Sequence, residues 1–286
     1  MSAAADETEV ARLAPGLALA LPRVPHRGRV GEVRASSAGA SLELHDFRVY
    51  QPGDDLRQVD WNAVARTGEM ILRVRQDEVS PRVEVLVDSS RSMALSPAKE
   101  ARAREVALLA VEVGALQGLT PTLLTTGSRP ERAQGQVCRS VLRSAAFDAK
   151  DDLAAALGRM PPLRPCGLRV VVSDFLFETD LSAMVARLSR GASALFLVQV
   201  LDAEDLDPSG GEGARLVDSE SGAALEELLT EDVLAAYARR FAEHQRALRA
   251  AAARARATLV TAPAPERLTA LVRGPLRPLF VAGGAA

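Results

Sequence analysis

Two stretches near the start alternate apolar and polar residues, "SLELHDFRVY" (41–50) and "EMILRVRQDE" (69–78). Alternation sends successive side chains to opposite faces, so both predict half-buried strands. Between them lies "QPGDDLRQVDWNAVART" (51–67). There Pro52-Gly53 signals a turn, proline presetting one position and glycine accepting a positive φ at the next. From Arg82 onward the pattern changes to short continuous apolar runs separated by helical segments. "VEVLV" (83–87), "PTLLTT" (121–126), "LRVVVSDF" (168–175), "ALFLVQVLD" (194–202) and "ATLVTA" (257–262) read as strands covered on both faces. Helices are predicted after Ser96-Pro97, over "KDDLAAALGRM" (150–160), over "LSAMVARLSR" (181–190), and from about Glu231 to Ala255. The polar, Gly-rich stretch 205–225 predicts a small hairpin.

Repeated strand–helix units predict an α/β fold, a doubly wound, mostly parallel sheet with a β-rich N-terminal extension. Three segments are expected. Residues 1–40, with the small and polar "RASSAGAS", read as weakly structured; 41–80 form the β-rich extension; 81–286 form the α/β domain.

Composition narrows the picture. At 286 residues and 48 % hydrophobic, the chain can bury a full core. A net charge of −2 exerts no global pull on nucleic acid or an anionic membrane. No apolar run approaches the roughly 20 residues of a membrane span. Leu13–Leu21 is short, interrupted by Pro15-Gly16, and unlike a signal peptide. Cys138 and Cys166 lie far apart and read as free thiols. A cytoplasmic protein without a membrane span is expected. Only Lys99 and Lys150 are lysines; every other basic side chain, histidines aside, is arginine.

The candidate chemistry sits where apolar runs stop. Asp88 and Asp174 both fall at strand ends, where open α/β sheets bind ligands. In Asp88-Ser89-Ser90-Arg91-Ser92, small oxygen donors recur at alternate positions. Such a loop can cradle a hard cation such as Mg²⁺, or it can be a polar turn capping the next helix. A serine nucleophile is disfavoured, because no G-x-S-x-G elbow occurs and no histidine links to the loop. His244 shares a helical face with Leu234, Tyr237, Phe241 and Leu248, which predicts packing. Arg239, Arg246, Arg249 and Arg256 predict a solvated face. No phosphate-binding glycine loop appears, so ATP hydrolysis by the chain itself is not expected. Asp54, Asp55, Arg57, Asp60 and Arg66 read as structural ion pairs, with Trp61 as an apolar anchor.

These segments together resemble a known family. "VLVDSSRSM" (85–93) looks like the D-x-S-x-S metal-ion-dependent adhesion site of von Willebrand factor A domains. Before it, Arg48, Tyr50, Gly53, Asp54, Asp55, Arg57, Asp60, Trp61, Ala65 and Arg66 are spaced like the hallmark of the bacterial domain-of-unknown-function family 58. "VVVSDF" resembles the third metal-site loop and "LVDSESG" a later hairpin of that family. The resemblance covers about residues 28–272.

The resemblance implies a von Willebrand factor A-like, Rossmann-like domain and a metal set of Asp88, Ser90, Ser92 and Asp174. Asp151 stands where such domains usually carry a threonine. The implied ion is Mg²⁺, with Mn²⁺ or Ca²⁺ as alternatives. The implied role is a non-enzymatic, chaperone-like interaction module. It would work beside a MoxR-type AAA+ ATPase, or a protein client offering an acidic residue, in assembly, maturation or stress response. Two alternatives remain open: a metal-dependent hydrolase using Asp88 and Asp174, with Asp151 or Asp152 as base, and a structural module with a vestigial site.

Overall fold

The structure, a computed structural model, describes residues 5–21, 44–50, 59, 61–75, 82–160, 163–206, 208, 216–217, 224–225 and 230–283. The chain divides into two compact units. One comprises residues 1–24 and 81–286, the other residues 25–80.

Helix α1 (Glu7–Leu13) and strand β1 (Leu17–Leu19) open the larger unit. The expectation of weak structure across residues 1–40 is therefore corrected for residues 5–21. Asp6 caps α1 by accepting from Glu9 N, and Val10 is only 1 % exposed. β1 pairs antiparallel with β12 (Phe280–Ala282), Leu17 opposite Ala282. The apolar side chains of this segment pack on residues 97–116 and on the far end of the chain, so its pattern looks unpromising in isolation.

In the smaller unit, β2 (Leu44–Val49) and β3 (Ile71–Arg75) pair antiparallel, Val49 opposite Ile71, where strands are expected. Between them the chain forms α2 (Trp61–Thr67). Trp61 is 62 % exposed, so the expected apolar anchor is corrected. Gly53, Asp54, Asp55, Arg57 and Asp60 lie outside the described residues.

The larger unit continues through β4 (Val83–Val87), α3 (Pro97–Leu116), β5 (Thr122–Thr125), β6 (Arg132–Gln134), α4 (Val137–Ser144) and α5 (Leu153–Arg159). It goes on through β7 (Cys166–Ser173), α6 (Leu181–Ser189), β8 (Ala192–Leu201) and α7 (Ala203–Leu206). The short pair β9 (Leu216–Val217) and β10 (Ala224–Leu225), α8 (Glu231–Arg254), β11 (Thr258–Pro263) and α9 (Leu268–Arg273) precede β12. Six strands form one sheet in the order β11-β8-β7-β4-β5-β6, parallel throughout except for β6.

Strand periodicity divides the apolar side chains between two cores. Val83, Val85 and Val87 join Val106, Ala110 and Val113 of α3 on one face. Leu86 joins Leu157 of α5, Val185 of α6 and Leu248 of α8 on the other. Helices thus cover both faces, which is why the strand sequences are nearly all apolar. The polar exceptions pair. Glu84 and Arg169 stand opposite each other on β4 and β7, buried and joined at 2.7 Å.

Candidate metal centre

Asp88 follows β4 and Asp174 follows β7, and these strands are neighbours in the sheet. Asp88 N donates to Val172 O at 2.9 Å, which holds the two strand ends side by side. Ser173 Oγ donates to Asp88 Oδ2 at 2.7 Å. Ser90 N donates to Asp88 Oδ1 at 3.1 Å, and Thr126 Oγ1, from the end of β5, at 3.4 Å. Three adjacent parallel strands therefore converge on one carboxylate.

The chain then turns through residues 91–94 in a short 3₁₀ helix anchored by the buried Met93. This brings Ser90 Oγ and Ser92 Oγ to 2.9 Å from each other. Ser96 caps α3 by accepting from Lys99 N at 3.1 Å, and its hydroxyl donates to Asp202. Asp88, Ser90, Ser92 and Asp174 thus all lie on loops at the carboxyl edge of the sheet.

Asp151 behaves differently. Its loop does run beside the serine loop, since Arg91 N donates to Ala149 O at 2.9 Å and Ala149 N to Ser89 O at 3.2 Å. Its side chain, however, is half exposed and pairs with Arg159. Asp152 caps α5, accepting from Ala155 N at 2.7 Å. Among the described residues, no three His, Cys, Asp or Glu side chains cluster as a metal-binding group.

Asp174 is tied on both oxygens. Oδ1 accepts from Leu176 N at 3.1 Å, and Oδ2 accepts from Lys99 Nζ at 2.8 Å. Lys99 also pairs with Asp205 of α7 at 3.0 Å. Burial pushes the Lys99 ammonium down, but Asp174 and Asp205 together hold its pKa above the ordinary lysine value. The Asp88 carboxyl is pushed up to about 6, first by complete burial and then by the charge of Asp174; Ser173 and Ser90 offset part of this. A divalent cation would relieve both causes.

The donor set suits a hard cation, with two carboxylates and two hydroxyls and no sulfur or imidazole. Gln199 adds a spare oxygen nearby. Its Nε2 donates to Asp174 O at 2.9 Å, while its Oε1 is buried without a partner.

Sequence reasoning missed Thr126, Ser173, Gln199, Lys99 and Asp205. Only Lys99 carried a signal, as one of two lysines where Lys and Arg total 35. His244 is half-buried, and its Nε2 lies 2.5 Å from Phe175 O, so it braces the loop after Asp174.

Residues 46–247 match the family described as protein of unknown function DUF58. The chain belongs to the DUF58 family. Uncharacterized proteins of Mycobacterium tuberculosis and Mycobacterium bovis are each 28 % identical to this DUF58 protein over 226 residues, covering 72 % of it and 70 % of each relative. Two solved structures show a distant likeness. The conserved hypothetical protein BatB from Bacteroides thetaiotaomicron is 13 % identical with a TM-score of 0.35, covering 64 % of this chain and 91 % of that one. An aerotolerance-related membrane protein from Bacteroides fragilis is 15 % identical with a TM-score of 0.32, covering 61 % and 96 %.

The expected cytoplasmic location does not stand, because the observations behind it do not decide it. The expectation rested on charge balance and the lack of an apolar run, which do not separate a free protein from one held at a membrane. No helix among the described residues is long and apolar enough to cross a membrane.

Proposed function

We propose that this DUF58 protein is a non-enzymatic, Mg²⁺-dependent protein-interaction module whose larger unit is von Willebrand factor A-like and Rossmann-like. It acts with a MoxR-type AAA+ ATPase, or an acidic protein client, in assembly, maturation or stress response. The observation that carries the reading is the convergence of Asp88, Ser90, Ser92 and Asp174 on one sheet edge. Those four residues would hold Mg²⁺, with Mn²⁺ or Ca²⁺ as alternatives. Asp151, paired with Arg159, is the weakest member of the expected set. A bound ion supplies an electrophilic position suited to a carboxylate from the partner.

The rest of the chemistry belongs to the chain. Ser173 and Thr126 orient the Asp88 carboxylate by donating to its two oxygens. The Ser90 and Ser92 hydroxyls present oxygen rather than charge, so the set is less anionic than an all-carboxylate site. That leaves a demand for an acidic partner. A metal-dependent hydrolase fits less well, because both candidate bases are committed: Asp151 to Arg159 and Asp152 to the α5 cap.

The test is capture of a MoxR-type ATPase by the full chain in Mg²⁺ or in EDTA, wild type against Asp88→Ala. Capture should need Mg²⁺ and should be lost in the variant. Capture that survives both EDTA and Asp88→Ala sinks the reading.

A further inference from the structure

We infer that Lys99 is a specificity-determining residue of the candidate cation centre: its ammonium is the built-in counter-ion of Asp174, which a divalent ion reaches only by displacing it. This rests on the cation reading of the site.

Lys99 stands in the first turn of α3, three residues after the cap Ser96. A positive charge there opposes the helix dipole, so local helix energetics do not explain it. Its partners do. Nζ lies 2.8 Å from Asp174 Oδ2 and 3.0 Å from Asp205 Oδ2. Lys99 and Asp174 are each 1 % exposed, so neither can turn to water while the other stays.

Mg²⁺ binds carboxylate oxygen at about 2.1 Å. An ion sharing Asp174 Oδ2 with Lys99 would lie within about 5 Å of the ammonium, in a site with little water to screen the repulsion. The two cations therefore exclude each other at that oxygen. Asp205 gives the displaced ammonium a second seat. At 16 % exposure its side chain is less confined than Asp174, and α7, which carries it, is only four residues long.

Displacement sets the selectivity. A monovalent ion offers Asp174 no more charge than the tethered ammonium already does, and the tether spares Lys99 the entropy of binding. A divalent ion offers twice the charge. Lys99 thus bars Na⁺ and K⁺ and raises the concentration of divalent ion needed to load the site. Lysine carries its charge as one compact ammonium, whereas arginine, the usual basic residue of this chain, spreads it over a planar fork.

The test is calorimetric titration of the full chain with Mg²⁺, comparing wild type, Lys99→Met, Lys150→Met and Asp88→Ala. Lys99→Met should bind Mg²⁺ at least tenfold more tightly. Its binding should also weaken in NaCl relative to tetramethylammonium chloride at equal ionic strength, a difference the wild type should lack. Lys150 is exposed beside the loop that contacts Ser90 and removes the same charge without an Asp174 contact, so Lys150→Met should stay within twofold of wild type.

If wild type binds Mg²⁺ and Lys99→Met binds no more tightly, the inference falls and the cation reading stands. If no protein binds Mg²⁺, both fall. Should Lys99→Met fail to fold, Asp205→Asn decides. Without its second seat Lys99 stays on Asp174, and affinity should drop at least threefold; unchanged or tighter binding overturns the inference.

Discussion

Ser173 Oγ donates to Asp88 Oδ2 at 2.7 Å, joining the ends of two neighbouring parallel strands through a carboxylate with no solvent exposure. The folded pKa of Asp88, about 6, lies above its ordinary 3.8, so the folded chain holds this proton more tightly than the unfolded one. The resulting stabilisation is fully present below about pH 3.8 and is lost as pH rises through about 6. In EDTA-treated protein, thermal unfolding across this window should show that loss, worth at most about 3 kcal/mol. Asp88→Asn should flatten it and be the more stable form above pH 6. An Asp88→Asn protein with the same pH slope as wild type would refute the assignment.

Glu84 and Arg169 face each other inside the sheet, and Arg169 also donates to Arg164 O at 2.7 Å and Arg190 O at 3.1 Å. Removing one partner leaves a buried charge uncompensated. Glu84→Ala should therefore cost about 3–5 kcal/mol in urea unfolding. The double replacement Glu84→Leu with Arg169→Met should cost less than the sum of the single changes. Additive losses would show that the pair is not coupled.

Asp151 pairs with Arg159 at the surface, where ion pairs contribute about 0–1 kcal/mol. Asp151→Ala should change stability by less than about 1 kcal/mol and Mg²⁺ affinity by less than threefold. Asp88→Ala should abolish Mg²⁺ binding in the same titration. Equal losses from both would place Asp151 among the ligands.

Val10 of α1 is buried in the core that also contains Val106 of α3 and Leu271 of α9. Val10→Ala should cost about 1–3 kcal/mol, read as a lower urea midpoint at an unchanged slope. A loss below about 0.5 kcal/mol would mean that α1 does not contribute to the core.

What the sequence by itself determined was whatever local periodicity encodes. Continuous apolar runs marked β4, β7 and β8 because strands buried on both faces leave few polar positions. Ser96-Pro97 marked the start of α3 because a side-chain acceptor and a preset φ satisfy a helix's first turn. The strand-end positions of Asp88 and Asp174, and the serines that follow Asp88, were legible because each apolar run stops abruptly at a polar residue.

Tertiary structure decided what depends on residues distant in sequence. α1 gains its apolar partners from α3 and α9, so seven residues with one deeply buried valine show little pattern alone. Thr126 and Ser173 become Asp88 donors only when three strands align. Asp151 held the expected position along the chain, yet its orientation followed Arg159, which is one helix further on. Lys99, one of two lysines, lies 75 residues from Asp174, and only the packing of α3 against the sheet places its amine between Asp174 and Asp205. Charge pairing across such separations leaves no periodic trace, because the partners meet only after the core has set their distance.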